Sequence, residues 1–199
     1  KKEGRNEWRR WAPSRSKVAA SLLKTKNKPS DLLPESGSSC LYLGASTGGT
    51  VSHIHDHVCG SGNHHEGHVV AVDISPRMMR DLVKLSEKRS GLIPVLADAR
   101  KPMEISPYMR EKATWLHQDL SIGDQAETFV KMTGAFLAQG GVALLSLKAA
   151  SERWMEGGDL ARFEHSKRII EACEHLDLIE TIDISVFEEQ HVVFFCIKK

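Results

Sequence analysis

Ser39-Cys40-Leu41-Tyr42-Leu43-Gly44-Ala45-Ser46-Thr47-Gly48-Gly49-Thr50 is the stretch on which the reading of the fold turns. Its first five residues form an apolar run of the length of a buried strand. Gly44 then opens a loop rich in glycine and hydroxyl side chains, and a short helix is predicted to follow, to about Val58. Glycines permit a tight turn and let the backbone approach a ligand closely. Thr47 and Thr50 add hydroxyls near the start of that helix. A Gly-rich loop after a strand is shared by NAD, nucleotide and S-adenosylmethionine sites. No Gly-Lys-Ser/Thr follows here, which excludes a Walker loop, and the full GxGxxG spacing of a dinucleotide fold is missing.

On the C-terminal side, apolar runs alternate with amphipathic stretches. Residues 68–72 are a β-branched run ending at Asp73, and Ser75-Pro76 supplies an N-cap with proline at the first helical position. Met79, Leu82, Val83 and Ser86 recur at helical spacing and are assigned to one inward face. Residues 92–97 read as a third strand ending at Asp98, and a loop with a short helix near Tyr108 leads to a fourth, 113–117, ending near Asp119. A helix over 124–138 is expected to stop at Gly140-Gly141, so that the fifth strand covers 142–148. A helix over 159–175, with Ile169, Ile170 and Cys173 inward, precedes two runs, 178–187 and 191–197, close enough to pair antiparallel. Strands alternating with helices imply an α/β fold with a parallel sheet covered on both faces. The expectation is a Rossmann-like, mostly parallel, seven-stranded sheet with a C-terminal antiparallel hairpin. Residues 1–38 are read as a basic N-terminal segment with a helix and linker, and 39–199 as the domain proper.

The chain of 199 residues is 41% hydrophobic and 27% charged, as expected of one globular domain with a short appendage. No apolar run approaches the roughly 18 residues of a membrane span, and the polar N-terminus has no signal-peptide stretch. The expectations are therefore no membrane and a cytoplasmic location. Net charge is +1 but uneven: residues 1–17 hold Lys1, Lys2, Arg5, Arg9, Arg10, Arg15 and Lys17 against Glu3 and Glu7, or +5. Trp8 and Trp11 interleave with those charges, a pattern suited to a docked segment that meets RNA. The four cysteines form no CxxC pair and read as small buried hydrophobes in a reducing compartment. His53, His55, His57, His64, His65 and His68 crowd together, but a helix over 49–58 puts His53 and His57 on one face without His55, and no metal site is expected.

In open parallel sheets, ligands bind beyond the carboxyl ends of the strands. Strands two, three and four each end on an acid, Asp73, Asp98 and Asp119. A carboxylate in the first place can accept both hydroxyls of a ribose, and one in the second can take an adenine amino proton.

At Tyr42-Leu43-Gly44-Ala45-Ser46-Thr47-Gly48-Gly49-Thr50-Val51-Ser52-His53 the sequence resembles the archaeal fibrillarin-like rRNA/tRNA 2′-O-methyltransferases. Val70-Ala71-Val72-Asp73-Ile74-Ser75, Ile93-Pro94-Val95, Asp98-Ala99-Arg100, Trp11-Ala12-Pro13-Ser14-Arg15-Ser16-Lys17 and Ser146-Leu147-Lys148-Ala149 extend the likeness over nearly all of residues 8–199. The resemblance implies an S-adenosylmethionine-dependent methyltransferase fold. It also implies a cofactor site drawn from Gly44, Ala45, Ser46, Gly49, Thr50, Asp73, Ile74, Asp98, Ala99, Asp119, Leu120, Ser121, Ile122 and Gln125. Where Asp73-Ile74 stand the family usually has Glu and an aromatic residue. Its D-V-A-Q-P-D/N-Q segment reads Asp119-Leu120-Ser121-Ile122-Gly123-Asp124-Gln125 here, without the middle Gln and the Pro.

By the same resemblance, Lys17, Asp119 and Lys148 are the catalytic candidates. Lys148 ends a buried strand, where a partly desolvated amine can orient or deprotonate the ribose hydroxyl. Asp119 would hold that ammonium beside the methyl-bearing sulfonium, and Lys17 would bind the target phosphate or ribose. The implied partners are a box C/D guide RNA, its rRNA or tRNA target, a Nop-type scaffold protein and a kink-turn-binding ribosomal-type protein. Two other readings stay open: a stand-alone RNA or protein methyltransferase, and a non-catalytic subunit of an RNA particle.

Overall fold

In the computed structural model, which describes residues 1–3 and 6–199, the run Ser39–Leu43 is the first strand of the main sheet, β1, buried along its whole length. It pairs in parallel with β2 (His68–Asp73) on one side and β4 (Ala113–Gln118) on the other. β3 (Leu92–Leu96) extends the sheet beyond β2, and β5 (Leu137–Lys148) extends it beyond β4, all parallel. The last two strands are β6 (Leu176–Asp183) and β7 (His191–Lys198). β7 inserts antiparallel between β5 and β6, giving the order β3-β2-β1-β4-β5-β7-β6. This is the seven-stranded, mostly parallel sheet with a closing antiparallel hairpin that the strand–helix alternation predicts.

The pleat sends alternate residues to opposite faces, and both faces are covered. Leu41, Leu43, Val70, Val72 and Leu116 pack with Ile105, Phe129, Met132 and Ile170, from α4 (Pro102–Ile105), α5 (Gln125–Phe136) and α6 (Gly158–Glu171). Cys40, Tyr42, Val69, Ala71 and Trp115 face the other way. They pack with Val18, Ile54 and Leu82, from α1 (Lys17–Lys24), α2 (Gly49–Cys59) and α3 (Pro76–Ser86). Apolar runs without alternation follow, because each strand position meets a helix on its own side. Phe129 and Trp115 are fully buried; truncating either to alanine costs about 3–5 kcal/mol.

Caps sit where the sequence places them: Ser75 Oγ accepts from Met78 N–H at 3.4 Å, with Pro76 at the first helical position. Residues 24–38 are tied down. Glu180 accepts from Thr25 Oγ1, Lys26 N–H and Asn27 Nδ2, and the fully buried Leu32 takes Trp115 Nε1–H on its carbonyl.

Four expectations are corrected. The helix over 124–138 ends at Phe136, and Gly140-Gly141 lie inside β5. Leu137 turns extended because it pairs with Ala113; Trp115 pairs with Val142, so the glycines sit in a bulge between the two pairings. Val83 is exposed, and Leu85 packs inward in its place, since the helix turns past the face that Met79 and Leu82 define. α6 stops at Glu171, leaving Cys173 beyond it, half-buried with Sγ 3.1 Å from His175 Nδ1. The strand expected over 178–187 runs over Leu176–Asp183 because Asp183 Oδ1 accepts Ser185 N–H and turns the chain, leaving Val186 exposed.

Candidate active site at the carboxyl ends of the strands

Gly44 leaves β1 with φ +85°, and a Cβ there would lie 2.0 Å from the carbonyl oxygen of Asp119. Only glycine lets the loop after β1 rest against the chain leaving β4. The N–H groups of Gly44 and Ala45 both donate to Val72 O at 2.9 Å, which fixes the loop to the end of β2. Ser46 is held at φ +51°, and its N–H donates to Asp73 Oδ2 at 2.7 Å while Ser75 N–H donates to Oδ1 at 2.8 Å. Each carboxylate oxygen keeps a lone pair for a further donor such as a ribose hydroxyl. Asp98 is gripped by Arg100, with Nη2 at 2.8 Å from Oδ2 and both Nε and the backbone N–H at 3.0 Å from Oδ1. Those hydrogen bonds hold the Asp98 carboxyl below the usual carboxylate range.

These groups line a compartment of about 280 Å³ together with Gly44, Ile74, Ala99, Asp119, Leu120, Ser121 and Ile122. Ile74 is 63% exposed, an apolar wall facing open space. A second compartment of about 480 Å³ shares Gly44, Ser46 and Asp119 with the first, and adds Ala45, Thr47, Gly49, Thr50, Ser52 and His53. Arg9, Arg10, Trp11 and Arg15 form its far side. Trp11 stacks on His53 with ring centroids 5.0 Å apart, and Arg9 reaches Asp56 Oδ2 at 2.5 Å and Ser52 Oγ at 3.3 Å. Burial and the charge of Arg9 keep His53 below its ordinary pKa. The basic segment is therefore docked across the loop; Arg5 of that segment lies outside the described residues. The first compartment suits a nucleoside, with acids for its hydroxyl and amino groups and an apolar wall for its base. The second suits a charged tail.

The two compartments meet at Asp119, whose N–H donates to Leu43 O. Lys17 Nζ lies 2.8 Å from Asp119 Oδ2, with both side chains largely shielded from solvent. Gln118 pairs with Leu145, so Asp119 and Lys148 emerge at the same end of neighbouring strands. The expected pairing of Asp119 with the Lys148 ammonium is not formed: Asp119 holds Lys17 instead, and among the described residues Lys148 Nζ has neither a hydrogen bond nor an ion pair. Beneath them, His117 is fully buried and its Nε2 is 2.8 Å from Ser146 Oγ. Burial lowers His117 to about 4, aided by Lys17 and opposed by Asp119. Burial, with the charge of Asp119, also pushes the Tyr42 phenol up.

Gln125 departs from expectation. It is fully buried and faces away from both compartments: Oε1 accepts Lys148 N–H, and Nε2 donates to Lys148 O and Glu152 Oε1. Its donors are spent on the protein, and it lines neither compartment. The other thirteen expected cofactor residues line one compartment or the other. The arginine wall of the second compartment was signalled only by the basic, tryptophan-bearing N-terminus.

The histidines expected to hold no metal are engaged with the protein. His55 Nε2 meets Ser90 O, His57 Nε2 meets Pro34 O, His64 Nδ1 meets Ser61 O, and His68 Nε2 meets Ser39 Oγ. Among the described residues, no three His, Cys, Asp or Glu side chains form a group that could hold a metal ion. No helix among them is long and apolar enough to cross a membrane.

Comparison with known proteins gives concordant results. A family model described as fibrillarin matches residues 1–199. The fibrillarin-like rRNA/tRNA 2′-O-methyltransferase of Methanococcus voltae is 35% identical over 94% of this chain and 77% of that protein. A crystallised fibrillarin/Nop5p complex superposes with a TM-score of 0.82 at 27% identity, over 95% of this chain and 84% of that one. Aeropyrum pernix fibrillarin, crystallised with natively bound S-adenosyl-L-methionine, superposes with a TM-score of 0.77 at 28% identity, over 92% and 75% of the two chains.

Proposed function

Because the chain belongs to the fibrillarin family, we propose that it transfers a methyl group from S-adenosylmethionine to a ribose 2′-hydroxyl of rRNA or tRNA. The observation that carries this reading is the Lys17–Asp119 pair at 2.8 Å, set where the two compartments join and beside the end of the strand bearing Lys148. When bound, the cofactor supplies a methyl group on a positively charged sulfur. Asp73 would accept the ribose hydroxyls of the cofactor through the lone pairs that Ser46 and Ser75 leave free. Ile74, Leu120 and Ile122 would hold the adenine, with Asp98, Ala99 and Ser121 beside it. The Gly44, Ala45, Gly49 and Thr50 side would hold the amino-acid tail.

Lys148 orients the attacking 2′-hydroxyl or, as the neutral amine, takes its proton; among the described residues no partner competes for its Nζ. Asp119 is the carboxylate nearest the reacting centre, and Lys17, already paired with it, carries a positive charge toward the target phosphate. Holding the reactants in line contributes roughly 7–11 kcal/mol on its own. The arrangement therefore needs positioning more than strong chemistry.

The target is presented by a box C/D guide RNA held on a Nop-type scaffold beside a kink-turn-binding protein. The fibrillarin/Nop5p complex supports the scaffold contact. The net charge of +1 supports the need for it, because phosphate neutralisation dominates affinity for RNA. The deciding experiment measures transfer of radiolabelled methyl to a defined RNA at about 0.15 M salt, with and without scaffold, kink-turn protein and guide. Little transfer alone and strong transfer in the assembled particle is expected. Efficient methylation by the isolated chain would replace this reading with a stand-alone methyltransferase.

A further inference from the structure

β5 outruns its neighbour. β4 ends at Gln118, opposite Leu145, while β5 continues through Ser146, Leu147 and Lys148, which pair with Val193, Val192 and His191 of β7 on its other edge. The edge that β4 leaves open at Lys148 is closed by a side chain. Gln125 Oε1 accepts Lys148 N–H at 3.0 Å, and Gln125 Nε2 donates to Lys148 O at 3.0 Å. One amide thus exchanges two hydrogen bonds with one residue's backbone, as an opposed residue does in an antiparallel ladder.

The amide cannot turn over, because its oxygen faces a donor and its nitrogen faces acceptors. The second Nε2 proton goes to Glu152 Oε1 at 2.8 Å, which also accepts Gln125 N–H at 3.1 Å. Gln118 Nε2 donates to Gln125 O at 2.7 Å. Gln125 therefore ties together the end of β4, the end of β5 and the loop beyond it, all without exposure to solvent.

We propose that Gln125 is a positioning residue for methyl transfer, a clamp on the Lys148 backbone that aims the Lys148 side chain at the reacting hydroxyl. The proposal rests on the reading of Lys148 given above. A lysine has four rotatable side-chain bonds and its Nζ here has no partner among the described residues, so the placement of its Cα sets where the amine can reach. Misplacement of a reacting group by about 1 Å costs on the order of 100-fold in rate.

The test is a double-mutant cycle between Gln125 and Lys148 in the assembled guide particle, read as single-turnover transfer of labelled methyl. Gln125→Met keeps the volume and removes both clamp bonds. It is expected to lower kcat by roughly 10- to 100-fold, with cofactor affinity and KM for the RNA held within about twofold. In a Lys148→Ala background the same substitution should change the residual rate less than about twofold, because a clamp has nothing left to aim. Should melting show that Gln125→Met is unfolded, Gln125→Glu with Glu152→Gln replaces it; that pair keeps the bond from Lys148 N–H, loses the one to Lys148 O, and sets an amide rather than a second carboxylate beside residue 125. A loss of about two- to tenfold is expected for it, again absent beside Lys148→Ala. An equal loss in both backgrounds would overturn the clamp while leaving the function of Lys148 intact. A wild-type rate in Lys148→Ala alone would overturn both.

Discussion

On the nucleoside side of the cleft, Asp73 takes its hydrogen bonds from Ser46 N–H and Ser75 N–H, in loops that follow adjacent strands. On the reacting side, Asp119 meets Lys17 from 102 residues away, and Lys148 is gripped through the side chain of Gln125. The first half is shaped by backbone geometry and short turns, and at Gly44 there is no room for a side chain beside Asp119 O. The second is assembled from long side chains brought together by separate elements. Changes in the first half should therefore alter cofactor affinity, and changes in the second should alter rate.

The largest effect belongs to the reacting side. Lys148→Ala is expected to lower methyl transfer by about 10²–10⁴-fold, the range for a lost proton-transfer group. Its cofactor affinity by calorimetry should stay within about twofold. A matching drop in affinity would dissolve the division between the halves.

His117 tests how far the reacting side depends on its buried support. Its folded-state value of about 4 lies below its ordinary 6.5, so the fold favours the neutral ring. The stability this gives is fully present above about pH 6.5 and is lost as the pH falls through 4, a change of roughly 3 kcal/mol. Melting temperatures between pH 7 and 4 should fall more steeply for the natural chain than for His117→Asn; parallel slopes would assign the acid sensitivity elsewhere.

Asp73→Ala probes the nucleoside side. It should weaken S-adenosylmethionine binding by roughly 1.5–3 kcal/mol while the single-turnover rate at saturating cofactor holds within about threefold. Unchanged affinity would remove Asp73 from the site. The smallest effect is expected of Arg9→Ala. Its pair with Asp56 is about half exposed, so about 0.2–1 kcal/mol of stability is at stake. Limited proteolysis of residues 8–16 should nonetheless speed up, because Arg9 helps to fasten that segment over the loop.

Much of this was legible locally. The strand Ser39–Leu43, the cap at Ser75, the acids closing three strands and the loop from Gly44 all announce themselves within windows of about ten residues. Boundaries slipped where a distant strand overrode local preference, as when pairing with Ala113 drew Leu137 out of a helical pattern and carried β5 through two glycines. The hydrogen-bond partners of Gln125 stay hidden in the sequence for a similar reason. Its place in a cofactor-like segment suggested a ligand, and nothing nearby in sequence shows that the backbone of Lys148 lies within reach.

By itself the sequence determined the class of sheet, the succession of elements and the glycine-bearing loop after β1, because hydrophobic periodicity, caps and glycine turns act over short distances. The tertiary structure alone decided that β7 lies between β5 and β6, that the basic segment docks through Arg9 and Trp11, and that the Gln125 amide bonds to the backbone of Lys148. Those outcomes depend on which surfaces and unpaired backbone groups meet after the chain has closed on itself. A buried amide with two donors then bonds to whatever acceptors the packing presents.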